Sequence, residues 1–313
     1  MQYLFGPVPS RRLGLSLGVD LILPKTCTYD CIYCEVGRTT NKVLDRQDQY
    51  PVGDIIRELE QYFSRKDTAP DYITLAGSGE PTLNRGLGRL IQAIKQLTRV
   101  PVAVLTNGSL LFLPEVRKEL LDADVVLPSL DAVSESIFQT INRPAPGLQL
   151  EKIIAGLAAF RQEFSGRIWL EILLLRGIND NIEELEKFRQ TLKRLRPDRV
   201  QLNTAVRPVV EDYAAPLTLA QLQAAATLLG EGVEVIADFG NSPHQTIALS
   251  DADFLETLAR RPLTAEDLAE VLGLPLVVVL KKLEHLQDQG LISYNIYQHR
   301  GFYQCDRPRS PSN

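Results

Sequence analysis

The chain of 313 residues sets 34 lysines and arginines against 39 aspartates and glutamates, a formal charge of −5, and 44% of it is hydrophobic. A chain of this size buries its own core without disulfide staples, and its acidic balance argues against a broad electrostatic grip on nucleic acid. No apolar run approaches the roughly 18 residues that mark a membrane span. The opening MQYLFGPVPSRR also lacks a basic stretch leading into a long apolar core, so a cytoplasmic protein with no membrane partner is expected.

The first predicted strand is GVDLILP, and DIIRELEQYF (54–63) reads as a helix with apolar residues three and four apart. DYITLAG is a strand, LGRLIQAIKQL a helix and VPVAVLT a strand. PEVRKELL opens a helix on Pro114, followed by ADVVLPSL as a strand. QLEKIIAGLAAF, RIWLEILLL, IEELEKFRQTLKRL, RVQLNTA, TLAQLQAAATLL and VEVIAD continue the alternation of helix and strand. The strands are nearly continuous in Val, Ile and Leu, as befits a parallel sheet covered by helices, so the class is α/β, a sheet or barrel. Ligands in such folds collect at the carboxyl ends of the strands.

Composition changes near residue 245. DADFLETLARRP, TAEDLAEVLG and PLVVVLKKLEHLQDQG read as three short helices, with Thr264 and Asp267 as a capping pair and Gly273 and Gly290 as stops. LISYNIYQHRGFYQC reads as a hairpin around His299–Gly301. Residues 246–305 thus resemble a winged-helix domain after a core of residues 1–245, and 306–313 read as a disordered tail. From 251 onward seven basic residues face nine acidic ones, a poor balance for a nonspecific nucleic-acid clamp. Lys281, Lys282, His285 and Arg300 are the local basic exceptions.

Three of the four cysteines, Cys27, Cys31 and Cys34, lie in CTYDCIYC just after the first strand. A structural zinc site closes with four ligands, and His244, His285, His299 and Cys305 are all more than 200 residues away. Core cysteines would not sit among Tyr29, Asp30 and Tyr33. A redox pair of Cys31 and Cys34 would leave Cys27 unexplained. What remains is an iron–sulfur cluster held by three thiolates, with one iron open to a non-protein ligand.

The C-x-x-x-C-x-x-C spacing, with Tyr33 before the last cysteine in an α/β chain, resembles the radical S-adenosylmethionine (radical SAM) superfamily over about residues 5–240. The resemblance implies a partial (β/α)6 TIM-like barrel and a 4Fe–4S cluster. It further implies that the free iron chelates S-adenosylmethionine, which one electron cleaves to methionine and a 5′-deoxyadenosyl radical that abstracts hydrogen from substrate. A low-potential donor such as flavodoxin or ferredoxin is then implied, and the C-terminal module becomes a place for a protein or RNA substrate.

AGSGEPTL resembles the Gly-Gly-Glu motif of that superfamily, with Gly77 and Gly79 admitting close backbone approach and Glu80 accepting from the methionine ammonium. Ser78 stands where that motif has a glycine. Taken alone, the segment is equally an ordinary strand-to-helix turn. Thr106–Asn107–Gly108 and Ser129–Leu130–Asp131 end the next two strands. Thr106, Asn107, Ser129 and Asp131 are expected at the ribose or methionine carboxylate, the alternative for Asn107 and Asp131 being helix capping. Tyr33 joins this cofactor-binding set by its place in the cysteine motif.

Glu171, in an apolar strand, needs an arginine, a hydroxyl or the substrate as partner. Asn179, Asp180 and Asn203 are candidates to face the ligand. Arg11 and Arg12 are either a solvated pair or an anion-recognition element over the barrel mouth. GPVPSRRLG, CTYDCIYC, GSGEPTL and SLD together look most like the branch with wyosine-type tRNA-modifying synthases, although no cysteine precedes Cys27 here. Glycyl-radical-enzyme activases share the early cysteine motif. From a different class, an iron–sulfur redox-sensing winged-helix transcriptional regulator is the competing reading, one that has no need of GSGEPTL or SLD.

Overall fold

The computed structural model describes residues 3–10, 12–65, 69–206, 209–237, 251–272, 274, 276–297 and 300–305. Arg11, His244, Gly273, His299 and the tail from 306 onward lie outside the described residues. The chain divides into two compact units, residues 1–206 with 210–238, and residues 207–209 with 239–313.

In the first unit the elements run β1 (Leu4–Ser10), β2 (Gly14–Asp20), β3 (Thr26–Cys27), β4 (Asn41–Lys42), α1 (Val52–Arg65) and β5 (Tyr72–Ala76). Then follow α2 (Leu87–Leu97), β6 (Val102–Thr106), α3 (Pro114–Leu120), β7 (Val125–Pro128), α4 (Glu135–Ile141) and α5 (Leu150–Glu163). β8 (Arg167–Leu174), α6 (Ile182–Leu195), β9 (Arg199–Thr204), α7 (Leu219–Leu229) and β10 (Val233–Val235) complete the unit. One eight-stranded sheet has the order β1-β2-β5-β6-β7-β8-β9-β10. It is parallel from β2 to β10, and only β1 is antiparallel. This is the expected α/β architecture, a partial TIM-like barrel.

The strands are apolar on both faces because both faces are covered, though by different partners. On β8, Ile168, Leu170, Ile172 and Leu174 join the main core with the helices, where α1 contributes Ile55, Leu59 and Tyr62 at helical spacing. Each such fully buried side chain contributes about 1.5–3 kcal/mol relative to exposure. The opposite face forms a second cluster of Leu13, Ala103, Val125, Leu127 and Trp169, with Tyr72 and Leu105 against it. These fill the amino-terminal half of the barrel interior. Further along the same face come Thr74, Ser129, Glu171 and Asn203, so the interior turns polar toward the carboxyl ends.

Three expectations are corrected. The opening LFGPVPS is itself a strand, with Pro7 and Pro9 on a sheet edge where a missing N–H is tolerated. The strand read as GVDLILP begins at Gly14 and stops at Asp20, because the chain must turn into the cysteine loop. α4 was not predicted, since seven residues carry too few turns for a period to register.

The second unit holds α8 (Asp251–Leu258), α9 (Ala265–Leu272), α10 (Leu276–Asp288), β11 (Ile292–Tyr297) and β12 (Arg300–Cys305), the last two antiparallel. Phe254, Leu258, Leu268, Val279, Leu283 and Ile292 form its core. The Asp267 N–H donates to Thr264 Oγ1 at 3.0 Å and the Thr264 N–H to Asp267 Oδ2 at 3.3 Å, the predicted cap. Gly290 takes φ +65°, ending α10 as expected. Lys282 is ion-paired with Asp251 and His285 meets Gln289.

Candidate metal and cofactor site

The cysteine loop leaves β2 and is pinned from several sides by backbone hydrogen bonds. The Lys25 N–H donates to Ser78 O (2.7 Å), the Glu80 N–H to Thr26 O (3.1 Å), and the Val43 N–H to Cys27 O (3.0 Å). Near the end of α4, the Asp30 N–H donates to Asn142 O (3.0 Å) and the Ile32 N–H to Ile141 O (2.9 Å), while Thr28 O accepts from the Ala145 N–H (2.8 Å). These bonds join a loop of little regular structure to the carboxyl end of β5 and to the end of α4.

Each sulfur has amide donors. Cys27 Sγ accepts from the Tyr29 N–H and from Asn107 Nδ2, each at 3.5 Å, and Cys31 Sγ accepts from Asn142 Nδ2 at 3.4 Å. The backbone N–H groups of Val36 and Gly37 serve Cys34. Burial pushes the Cys27 thiol up to about 12, the charge of Glu80 adding to it. Cys31 and Cys34 are also raised, burial again being the largest cause. Metal ligation at these thiols releases their protons.

Gly77 and Gly79 are approached by the protein itself. A Cβ on Gly77, at φ +143°, would lie 2.1 Å from Asp20 Oδ1, and one on Gly79 would lie 1.9 Å from Thr26 O. Between them, the Ser78 hydroxyl donates to Asp20 Oδ2 at 2.8 Å. Asp20, at the end of β2, was not singled out in the sequence, although a carboxylate closing an apolar strand was the available signal. Glu80 is 2% exposed. Its Oε1 accepts from Thr82 N–H (3.0 Å), Thr82 Oγ1 (2.5 Å) and Thr106 Oγ1 (2.6 Å), and its Oε2 from Asn107 N–H (2.7 Å). Burial raises its pKa while these donors lower it.

Asn107 caps no helix. Its Oδ1 accepts from the Ser109 N–H (2.9 Å), and its Nδ2 donates to Thr28 Oγ1 (2.8 Å) as well as to the sulfur. The Ser129 N–H donates to Thr106 O (3.0 Å) at the end of β7. Asp131, 3% exposed, also caps no helix. Its Oδ1 accepts from Leu173 N–H (3.0 Å), and its Oδ2 from Asn142 Nδ2 (3.0 Å) and the Tyr33 hydroxyl. Burial raises Asp131 from 3.8 to about 6. Asn142, absent from the sequence reading, thus ties Asp131 to Cys31. No sequence signal marks it, because it stands 111 residues from that cysteine.

Glu171 meets the arginine that its burial required: Arg12 Nη1 donates to its Oε2 at 2.5 Å, and Asn203 Nδ2 to its Oε1 at 2.8 Å. Arg12 is therefore an ion-pair partner rather than a solvated charge. One expectation fails. Asn179 is a fully buried brace, donating to Asp131 O and Leu173 O and accepting from Leu175 N–H, while Asp180 accepts from Gly177 N–H. A separate cavity of about 340 Å³ beside Leu192, Arg196 and Val233 lies at the amino-terminal end of β9 and β10, away from all these groups.

Three soft thiol donors on one loop, each with amide N–H groups at its sulfur, are the donor chemistry that iron–sulfur centres take.

The sequence profile of the radical SAM superfamily matches residues 21–189, more than half of the chain. The chain belongs to the radical SAM superfamily. It is similar to a UPF0026 protein of Synechocystis sp., 37% identical over 261 residues that cover 82% of this chain and 91% of that one. A protein named GTPase Obg from Brachyspira hyodysenteriae is 40% identical over 269 residues, 85% of this chain, although the chain spans only 39% of that relative's length. Among solved structures, Streptococcus suis SuiB bound to precursor peptide SuiA superposes with a TM-score of 0.54 at 13% identity, over 70% of this chain and 48% of that one.

This radical SAM chain is therefore an enzyme, with a 4Fe–4S cluster and S-adenosylmethionine as its cofactors and a requirement for a reductant. The superfamily is one of enzymes, which leaves the transcriptional-regulator reading without support. These relatives add nothing to the narrower likeness to wyosine-type synthases. Among the described residues no helix is long and apolar enough to cross a membrane.

Proposed function

We propose that Cys27, Cys31 and Cys34 hold three irons of the 4Fe–4S cluster and leave the fourth for the amino and carboxylate groups of S-adenosylmethionine. One observation supports this above the others: the cysteine loop is hydrogen-bonded onto the strand ends that carry Glu80 and Asn107, and Tyr33 onto Asp131. When bound, the cluster supplies the electron that breaks the sulfonium bond, giving methionine and a 5′-deoxyadenosyl radical that abstracts hydrogen from substrate.

The chain's residues bind, orient and shield. Gly77, Ser78, Gly79 and Glu80 form the methionine-ammonium side, with Oε2 of Glu80 holding a single protein donor and so retaining acceptor capacity. Thr106, Asn107, Ser129 and Asp131 line the ribose and carboxylate side, where Tyr33 is fixed by Asp131. The polar stretch at Arg12, Glu171 and Asn203 holds the substrate's reacting end over the apolar cluster, which closes the interior to water.

Residues 246–305 act as a winged-helix-like module that presents an RNA or protein substrate, after a core of residues 1–245. With seven basic residues against nine acidic ones from 251 onward, and Lys282 already paired, the charge favours protein. A flavodoxin- or ferredoxin-type donor in the cytoplasm supplies the electron.

The test is anaerobic reconstitution followed by assay of iron and of 5′-deoxyadenosine under strong reductant. Replacing Cys27, Cys31 and Cys34 with alanine is expected to abolish both. Full iron content in the triple variant defeats the assignment. Deuterium passing from labelled RNA or labelled protein into 5′-deoxyadenosine identifies the substrate class.

A further inference from the structure

We infer that the carboxamides of Asn107 and Asn142 set the reduction potential of the cluster, each aiming one N–H at a ligating sulfur. The inference rests on the reading that Cys27 and Cys31 are cluster ligands. The two side chains come from different elements, Asn107 just after β6 and Asn142 at the end of α4, yet they are arranged alike. Each amide nitrogen divides its two hydrogens between a sulfur and one fixed oxygen. Asn107 Nδ2 reaches Thr28 Oγ1 at 2.8 Å and Cys27 Sγ at 3.5 Å; Asn142 Nδ2 reaches Asp131 Oδ2 at 3.0 Å and Cys31 Sγ at 3.4 Å.

Chemistry fixes which end of each carboxamide faces the sulfur. Asn107 Oδ1 accepts from the Ser109 N–H at 2.9 Å, so its NH2 must be the end toward Cys27. Asn142 faces Asp131 Oδ2, which also accepts from the Tyr33 hydroxyl, so again the NH2 end is inward. Thr28 Oγ1 is held in turn by Ser109 Oγ at 2.7 Å, and Asp131 by the Leu173 N–H at 3.0 Å. The donors are thus held in place before any metal binds.

Hydrogen bonds to cluster sulfurs are among the terms that set the potential of iron–sulfur centres. A donor stabilises the more negative, reduced form, which carries the added electron on the iron–sulfide–thiolate framework. Cys34 depends on backbone donors and the Tyr33 hydroxyl also reaches Cys31, so the two asparagines are the carboxamide part of this set.

Two variants test the inference, with a readout independent of turnover. Asn107→Asp keeps acceptors for the Ser109 N–H and the Thr28 hydroxyl while pointing a carboxylate oxygen at Cys27. Asn142→Leu removes the donor at Cys31 with little change in volume. Each is reconstituted, its iron and sulfide are counted, and the midpoint of the 2+/1+ couple is read by EPR-monitored titration without S-adenosylmethionine. Full iron content with midpoints shifted to more negative values is expected, the larger shift in Asn107→Asp. Unchanged midpoints at full iron content overturn the inference and leave the cysteine assignment standing, whereas a wild-type chain that takes up no cluster overturns that assignment. If either variant fails to load, wild-type protein grown with side-chain 15N-labelled asparagine decides. A hyperfine coupling between that nitrogen and the reduced cluster is expected, and its absence refutes the inference.

Discussion

Gly79 lies against Thr26 so closely that a Cβ at position 79 would fall 1.9 Å from the Thr26 carbonyl oxygen. The contact is backbone on backbone, and the Glu80 N–H bonds the same oxygen at 3.1 Å. Neither partner can rotate away, so the cysteine loop itself must move. Gly79→Ala is expected to cost about 3 kcal/mol or more, at the upper end of overpacking. The iron-free protein should melt about 6–12 °C lower, and iron uptake on reconstitution should fall. Unchanged melting refutes the requirement.

Arg12 and Glu171 form an ion pair whose side chains are each 16% exposed. Glu171→Ala strands a guanidinium in the barrel interior and is expected to cost about 2–4 kcal/mol, between the values for exposed and buried pairs. The double variant Arg12→Met with Glu171→Leu should recover much of that loss. Urea unfolding of the iron-free protein measures both, and a double variant weaker than the single one contradicts the account.

Asp131 gives a pH dependence of definite sign. Its folded value of about 6 stands above the ordinary 3.8, so the folded chain holds the proton more tightly than the unfolded one. That contribution is complete below pH 3.8 and is lost as pH rises through 6. At about 1.4 kcal/mol per unit it amounts to roughly 3 kcal/mol. Urea unfolding at intervals between pH 4 and 7 should show the wild type losing stability relative to Asp131→Asn across that window. A constant difference between the two rules the shift out.

Asn179 accepts one buried hydrogen bond and donates two. Removing it leaves an N–H and two carbonyls unpaired, so Asn179→Ala should cost about 3 kcal/mol. Because the side chain is turned into the protein, calorimetric affinity for S-adenosylmethionine at a temperature where the variant is folded should be unchanged. A large loss of affinity returns Asn179 to the binding surface.

The alternation of apolar runs and amphipathic segments was enough to read the α/β architecture, since a covered parallel sheet demands strands such as RIWLEILLL. The cysteines and GSGE were legible because their chemistry lies in local spacing. Asp20, Asn142 and the pairing of Arg12 with Glu171 were not, because they depend on strands brought together across long separations. Glycine showed another limit of local reading: Gly77 and Gly79 signalled close approach correctly, but what approaches them is Asp20 and Thr26. The prolines of β1 hid an edge strand, since they weaken a strand pattern while being tolerated where one N–H row is unpaired.

The tethering of the cysteine loop has a consequence for damage and repair. Its backbone is fastened to Ser78, Asn142, Ile141 and Ala145 by bonds in which iron takes no part. A molecule stripped of its inorganic centre by oxygen would keep the mould in which that centre was cast. Rebuilding it then requires fresh iron and sulfide rather than a refolded chain.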